Sequence, residues 1–373
     1  MTATEALVVR AEERPLNGVA HPGPHQLYRR PKLSLEQREL GPLPAGHIRL
    51  KMIFAGLCGT DVHVVQENSD TGYIMGSAPL KIGLEGRILG HEGVGQVVAV
   101  GDGVGNVKEG DYVTLESIIT CHYCDACRKG KFNQCEGAQL FGMERDGLFR
   151  KIADVPAQLA HDINDLADTD VGLRAAACIE PAACGYVATS LADVSPGDNV
   201  LIFGAGPIGL FTSMLCRAAL GAAEIHVIDP IPFRREFALD WADRTYDVEE
   251  FFFLSSKPDF NVLIETSGVL GNVGRSLRQM ASNSRIILLA RSGEPLLLQH
   301  VDHMITNNIS ITGSRGHLGG AFADVLRLYR AGNLPLQNGI TTIIEGLDNF
   351  RKCLEHPVDV VEKNCKVLVR ISD

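Results

Sequence analysis

The sequence has no excess of basic residues. Thirty-five Lys and Arg stand against 45 Asp and Glu, for a formal net charge of −10. That balance argues against nucleic acid and anionic membrane surfaces as partners, since both favour a cationic face. There is no run of 18 or more apolar residues, so no membrane-spanning helix is expected. The opening stretch, MTATEALVVRAEERP, lacks the apolar core of a secretory signal. A cytoplasmic location is the resulting expectation, and there thiols stay reduced. The chain also lacks internal repeats and low-complexity tracts, which sets solenoids and arrays aside.

The composition is otherwise that of a globular protein, 45% hydrophobic and 21% charged over 373 residues. The length suits two domains of ordinary size or one large one. A chain this long buries a core without cross-links. Yet four of its ten cysteines fall within CHYCDACRKGKFNQC. Cys121, Cys124, Cys127 and Cys135 have the spacing C-x2-C-x2-C-x7-C, and a compact loop of this kind can set four thiolates around one zinc. Four sulfur ligands leave no open position, so such a metal is structural. An iron–sulfur cluster also takes four cysteines, but nothing else in the chain points to one-electron chemistry.

The rhythm of the chain changes along its length. Residues 45–155 carry short apolar runs punctuated by glycine, HIRLKMIFAGLCG, GHEGVGQVVAVG and GDYVTLESII, which read as strands of a mostly β domain. Two loop-like stretches stand out, RPLNGVAHPGPHQLYRRPK ahead of this region and residues 66–86 within it. After about residue 170 strands and helices alternate, which implies a parallel sheet covered on both faces and an α/β class overall. A helix, GAFADVLRLYRAG, and a closing strand, CKVLVRI, end the chain.

Within the alternating half, Gly204-Ala205-Gly206-Pro207-Ile208-Gly209 fits G-x-G-x-x-G. A buried strand precedes it, a helix follows, and Asp229 ends the next strand. Gly204 permits the tight turn, Gly206 lets the backbone approach a pyrophosphate, and Gly209 lets helix and strand pack closely. The helix N-terminus, opening at Pro207 and Ile208, then offers N–H groups to phosphates. Asp229 can accept from both ribose hydroxyls and would repel a 2′-phosphate, which favours NAD over NADP. Arg234 and Arg235 follow closely and either reach a phosphate or are ordinary solvated helix charges.

A catalytic metal needs an open position and a different donor set. GLCGTDVH offers Cys58, Thr60, Asp61 and His63; GHEGVGQV offers His91 and Glu92; CIEPAACG offers Glu180. Cys58, His91 and one carboxylate would leave a position for water or a substrate oxygen. Each of these has a bland reading when taken singly: a buried Cys, a core His, a surface Glu.

Together, in this order, GLCGTDVH, GHEGVGQVVAVG, GDYV, the four-cysteine loop, IEPAACG and GAGPIG resemble the zinc-dependent medium-chain dehydrogenase/reductase (alcohol dehydrogenase) superfamily. The nearest branch is that of the sorbitol, threonine and sugar dehydrogenases. The resemblance implies a GroES-like β-rich catalytic domain over residues 1–182, with the structural zinc loop at 121–135. A doubly wound Rossmann NAD-binding domain over 183–316 and a return to the catalytic domain over 317–373 complete it. It implies two zincs per chain and bound NAD, and it makes Cys58 and His91 catalytic zinc ligands. Glu180 and Glu92 are then expected to alternate as third ligand and neighbour, with Cys178 and Cys184 as competitors for Glu180. The Thr60 hydroxyl would take the substrate proton and pass it through the cofactor ribose to His63, while Asp61 braces the loop. Lys366 matches a basic position that pairs with the cofactor pyrophosphate in relatives. Relatives are homodimers or homotetramers, commonly joined at the Rossmann sheet edge.

The chain departs from the family pattern in three places. The stretch from Cys58 to His91 is long, with the extra residues around 66–86 expected to roof the substrate site. A Pro/His-rich insert precedes residue 32. The Rossmann domain looks trimmed between Asp229 and FNVLIETSG, a span that includes VEEFFFLSS. The expected activity is hydride transfer between NAD and a secondary hydroxyl on a small hydroxylated substrate: a sugar, polyol or cyclitol. Alternatives are a biosynthetic ketone or aldehyde reductase, an epimerase that retains its NAD, and, from a different class, a non-catalytic NAD/zinc redox sensor.

Overall fold

In a computed structural model, residues 2–254 and 259–372 are described; the last two residues of VEEFFFLSS lie outside them. The chain divides into two compact units. One comprises Met1–Glu180, Ile340–Val361 and Lys366–Asp373, and the other Pro181–Gly339 and Glu362–Cys365. The return to the first unit comes at Ile340, not at residue 317. Residues 317–339 stay with the second unit because their apolar side packs there: Gly339 lies so close to Phe211 that a Cβ would stand 2.8 Å from the ring.

The first unit is built on a seven-stranded sheet. Its middle strand, His47–Gly56, alternates buried and half-buried positions before becoming wholly buried, as expected of a strand running from the edge of a core into it. Glu92–Val100 pairs with it on one side and Lys366–Arg370 on the other, both antiparallel. Gly56 is opposite Glu92 across one ladder and opposite Leu368 across the other. A C-terminal strand is thereby brought beside the GHEGVGQV motif. Pairing with Glu92–Val100 is close where Gly95 sits, since a Cβ there would be 2.9 Å from the Lys51 carbonyl.

A long antiparallel hairpin, Thr2–Glu13 with Tyr28–Leu40, forms a separate three-stranded sheet with Arg87–Ile88. The two stretches that depart from the family pattern meet here. Ile74 N donates to the Tyr28 carbonyl and Ile82 N to the Tyr28 hydroxyl. The Arg29 guanidinium lies 5.1 Å from the Tyr73 ring centroid and donates to the Gly72 carbonyl. Cation–π contact and backbone bonds pin the 66–86 segment to the hairpin.

The second unit holds a six-stranded, wholly parallel sheet. Its order is Arg244–Tyr246, Glu224–Ile228, Asn199–Phe203, Phe260–Glu265, Met280–Leu288, Ser310–Gly313. The order reverses between Asn199–Phe203 and Phe260–Glu265, the switch point at which doubly wound sheets bind ligands. Val200 through Phe203 are buried, as a strand covered on both faces requires. The trimming read from the sequence corresponds to short elements: a seven-residue helix, Pro232–Ala238, and a three-residue strand, Arg244–Tyr246.

Candidate functional site

Cys58 caps a short helix, Gly59–Val65, that begins three residues after the strand His47–Gly56 ends. Asp61, in its first turn, is fully buried. One carboxylate oxygen accepts Cys58 N at 3.2 Å and the other accepts Gly90 N at 3.1 Å. Asp61 therefore ties the Cys58 loop to the His91 loop. Burial pushes its pKa up, opposed by His91 and by these two backbone donors. Gly90 has φ +89°, and a Cβ there would meet the Phe149 ring at 2.8 Å. Only glycine makes the turn that presents His91.

The donor atoms of Cys58, His91 and Glu92 all lie within 4.8 Å of one another. His91 Nδ1 is buried with no hydrogen-bond partner among the described residues, 3.8 Å from Asp61 Oδ1. Burial by itself would lower the His91 pKa, but Asp61, Cys58 and Glu180 together raise it well above the ordinary value. So negative a pocket is one that a dication would neutralise. Sulfur, nitrogen and carboxylate donors converging in it fit zinc with a position to spare.

Glu180, buried in the first turn of the helix Ile179–Leu191, accepts a hydrogen bond from Ser117 Oγ at 3.0 Å. Its charge acts on both His91 and Glu92, yet it stands outside the compact trio. Cys178 is fully buried, and Cys184 approaches His317 Nδ1 at 3.9 Å in the second unit; neither joins the trio. Cys58 Sγ lies 3.6 Å from Thr60 Oγ1. His63 is exposed on one side, and desolvation on the other pushes its pKa down.

Lys366 is not where a phosphate partner was expected. Its side chain is fully buried, and Nζ donates to Glu92 Oε2 and to the Leu57 carbonyl at 3.0 Å. The ammonium is therefore committed to the carboxylate of Gly-His-Glu in the first unit. The sequence carried one signal of this, a lone lysine opening a strand whose next three residues are buried. It did not disclose Ser117 as the partner of Glu180, because nothing local links the two.

In the four-cysteine loop the sulfurs also lie mutually within 4.8 Å, and all four are free thiols. Cys121 N points at Cys135 Sγ and Cys124 N at Cys121 Sγ. The backbone N–H groups of Tyr123 and Cys124, aimed at Cys121 Sγ, favour its thiolate and hold Cys121 down at about 6. A four-turn helix could not bring these sulfurs together; a helical turn, Asp125–Arg128, and a 3-10 turn, Phe132–Gln134, do. The set fits a closed zinc site.

In the second unit, Gly204 has φ +95°, and a Cβ on Gly209 would overlap the Gly204 carbonyl and approach Thr266 Oγ1 at 2.8 Å. Gly206 caps the helix Pro207–Ala218, with Pro207 at its first position and Ile208 at its second. Asp229 is buried; its oxygens accept Ala205 N and Ile231 N, each at 2.8 Å. The carboxylate thus shapes the glycine turn. Arg234 donates to the Asn364 carbonyl, and its Nη1 lies 3.6 Å from where a Gly206 Cβ would be. Arg235 is spent on the carbonyls of Asp229 and Pro230. Of the two arginines, Arg234 overlooks the glycine turn.

Residues 44–165 match the alcohol dehydrogenase GroES-like domain. L-threonine 3-dehydrogenase of Pyrococcus abyssi is 31% identical over 318 residues, 83% of this chain and 87% of that protein. The chain is a medium-chain dehydrogenase/reductase. Another member, L-arabinitol 4-dehydrogenase of Aspergillus niger, is 36% identical over 58% of this chain and 54% of its own length. The fold of this dehydrogenase also matches a short chain alcohol dehydrogenase of Escherichia coli CFT073 solved with NADH. That match has a TM-score of 0.81 and 24% identity, covering all of both chains.

Proposed function

We propose that this dehydrogenase uses zinc and NAD to interconvert a secondary hydroxyl and a ketone on a sugar, polyol or cyclitol. The observation that carries the reading is the convergence of Cys58, His91 and Glu92, with Glu180 beside them, in a buried and strongly negative pocket. The polyol and threonine relatives support a secondary hydroxyl as the reacting group, and the acid-rich pocket suits hydroxyl-rich ligands better than a greasy alcohol tunnel would. Asp229 supports NAD over NADP. The same reading has two zincs per chain, the second held by Cys121, Cys124, Cys127 and Cys135, in a cytoplasmic homodimer or homotetramer.

When bound, zinc would lower the pKa of the substrate hydroxyl as a Lewis acid and nicotinamide would accept the hydride. The chain's own residues do the rest. Cys58 and His91, aligned by Asp61, would hold the metal together with a carboxylate, and Ser117 donates to Glu180. The Thr60 hydroxyl, beside Cys58, takes the substrate proton, and His63 delivers it to water. A lowered pKa keeps His63 neutral at physiological pH and therefore ready to accept. The glycine turn and the N-terminus of the helix Pro207–Ala218 seat the pyrophosphate.

The experiment is a panel of sugars, polyols, cyclitols, L-threonine and simple primary alcohols, followed by NADH absorbance, with NADP in parallel. Turnover of primary alcohols alone would defeat the substrate assignment. Turnover of a hydroxyl-rich ligand with NAD and much less with NADP is the expected result.

A further inference from the structure

The Pro/His-rich insert before residue 32 takes no part in the chemistry proposed above, yet it carries the pair Asn17–Gly18. The sequence contains one other Asn–Gly pair, Asn338–Gly339. We infer that Asn17 is a self-modification site, deamidating in the folded chain to aspartate and isoaspartate, while the fold holds Asn338 back. Neither proposed zinc bears on this step.

Asn17 and Gly18 are the central residues of a β-turn beyond the last rungs of the N-terminal hairpin. Val19 N closes it by donating to the Leu16 carbonyl at 3.3 Å. Gly18 has φ +84°, and a Cβ placed on it would meet nothing within 4 Å. Residues 12–18 are all exposed. Among the described residues, neither the Gly18 N–H nor the Asn17 side-chain amide has a hydrogen-bond partner. Exposed backbone of this kind opens at little cost.

Rotation about the Asn17 backbone brings the Gly18 nitrogen onto the side-chain carbon. A bond forms from that nitrogen to Cγ as the Cγ–Nδ2 bond breaks, and the Gly18 proton leaves with Nδ2 as ammonia. Water then opens the cyclic imide at either carbonyl. One opening gives aspartate; the other gives isoaspartate, in which the chain runs through the former side chain and gains a backbone carbon. Glycine suits the step because no Cβ shields its nitrogen. Asn338 has the same neighbour in another setting. It lies in the 3-10 turn Leu336–Gly339, with its N–H on the Pro335 carbonyl at 3.0 Å. Helical backbone swings the next nitrogen away from the side chain. Gly339 is buried, and a Cβ there would stand 2.8 Å from the Phe211 ring, so the rotation has no room. Asn68 and Asn283 precede serine, a more shielded neighbour. Their side-chain oxygens are occupied, the first by Asp70 N and Thr71 N and the second by Asn308 Nδ2.

The test holds the full native chain in neutral buffer and samples it over time by peptide mass spectrometry, which reads amide-to-acid conversion at each asparagine. Isoaspartate is counted separately, by methyl transfer from S-adenosylmethionine with a protein-isoaspartate methyltransferase. A parallel sample is unfolded in guanidinium chloride. In the native chain Asn17 is expected to convert at least about tenfold faster than Asn338, which reacts only through local opening. In the unfolded chain the two are expected to convert at similar rates. Asn17→Gln is expected to remove methyl acceptance from the native chain, since the longer side chain must close a larger ring. A native Asn17 rate no higher than that of Asn338, or undiminished methyl acceptance in Asn17→Gln, overturns the inference. So does an Asn338 that stays inert in the unfolded chain, because its sequence neighbours rather than the fold would then protect it.

Discussion

Asp61 offers the sharpest separation between a residue that braces the site and one that reacts. Its two oxygens each accept one backbone N–H, from Cys58 and from Gly90, inside a fully buried position. A hydrogen bond to a charged acceptor contributes roughly 1.5–3 kcal/mol, so two are worth about 3–6 kcal/mol before the cost of burying the carboxylate is subtracted. That cost is real here, since burial raises the Asp61 pKa. Asp61→Ala should therefore lower unfolding stability by about 2–4 kcal/mol. Asp61→Asn keeps the shape and one acceptor but turns an NH2 toward a backbone N–H, for a loss of about 1–3 kcal/mol. Both variants should weaken zinc at the Cys58 site about 10–100-fold, because the loops carrying Cys58 and His91 are no longer fixed together. Urea melts and chelator competition measure the two effects separately. Among the described residues Asp61 bonds to Cys58 and Gly90 and not to the Cys121–Cys135 loop, so that loop serves as internal control and should keep its zinc. Parent-like zinc affinity in Asp61→Asn would refute the bracing argument.

Cys124→Ser should release the loop zinc and lower the melting temperature, with metal content and thermal denaturation as the checks. Without metal the Cys121 thiol is held down to about 6, so in the stripped loop the thiolate is favoured above that pH and protonated below it; zinc rebinding to the stripped loop should weaken as pH falls below 6. His63→Gln should slow alcohol oxidation and remove an acid limb from the pH profile of kcat/KM. That limb lies below the ordinary histidine range because desolvation lowers the His63 pKa; an unchanged limb would exclude His63 from the relay. Gly209→Ala should abolish NAD binding, read by fluorescence titration, because its Cβ would overlap the Gly204 carbonyl.

Much of this was legible in the sequence because local patterns carried it. The glycine turn, the four-cysteine spacing and the alternation of strand and helix each follow from contacts a few residues apart. The strand run GHEGVGQVVAVG became Glu92–Val100, and NVLIFGAG became Asn199–Phe203 and its turn. What was not legible depended on distant ladders. Lys366 reaches Glu92, 274 residues away, only because both strands flank His47–Gly56. Ser117 reaches Glu180 across 63 residues. The boundary near 317 was misplaced because a helix at Ala321–Arg330 reads alike in either unit; tertiary packing around Phe211 decides it. The contacts by which Tyr28 and Arg29 pin the 66–86 segment to the N-terminal hairpin likewise join residues far apart in the chain.

Zinc content of the purified chain, set beside that of Cys58→Ala, tests the central claim most directly. Two zincs in the parent and one in the variant, with the remaining zinc removed by Cys124→Ser, is the expected result. Equal zinc content in parent and Cys58→Ala would contradict a metal centre at Cys58 and His91.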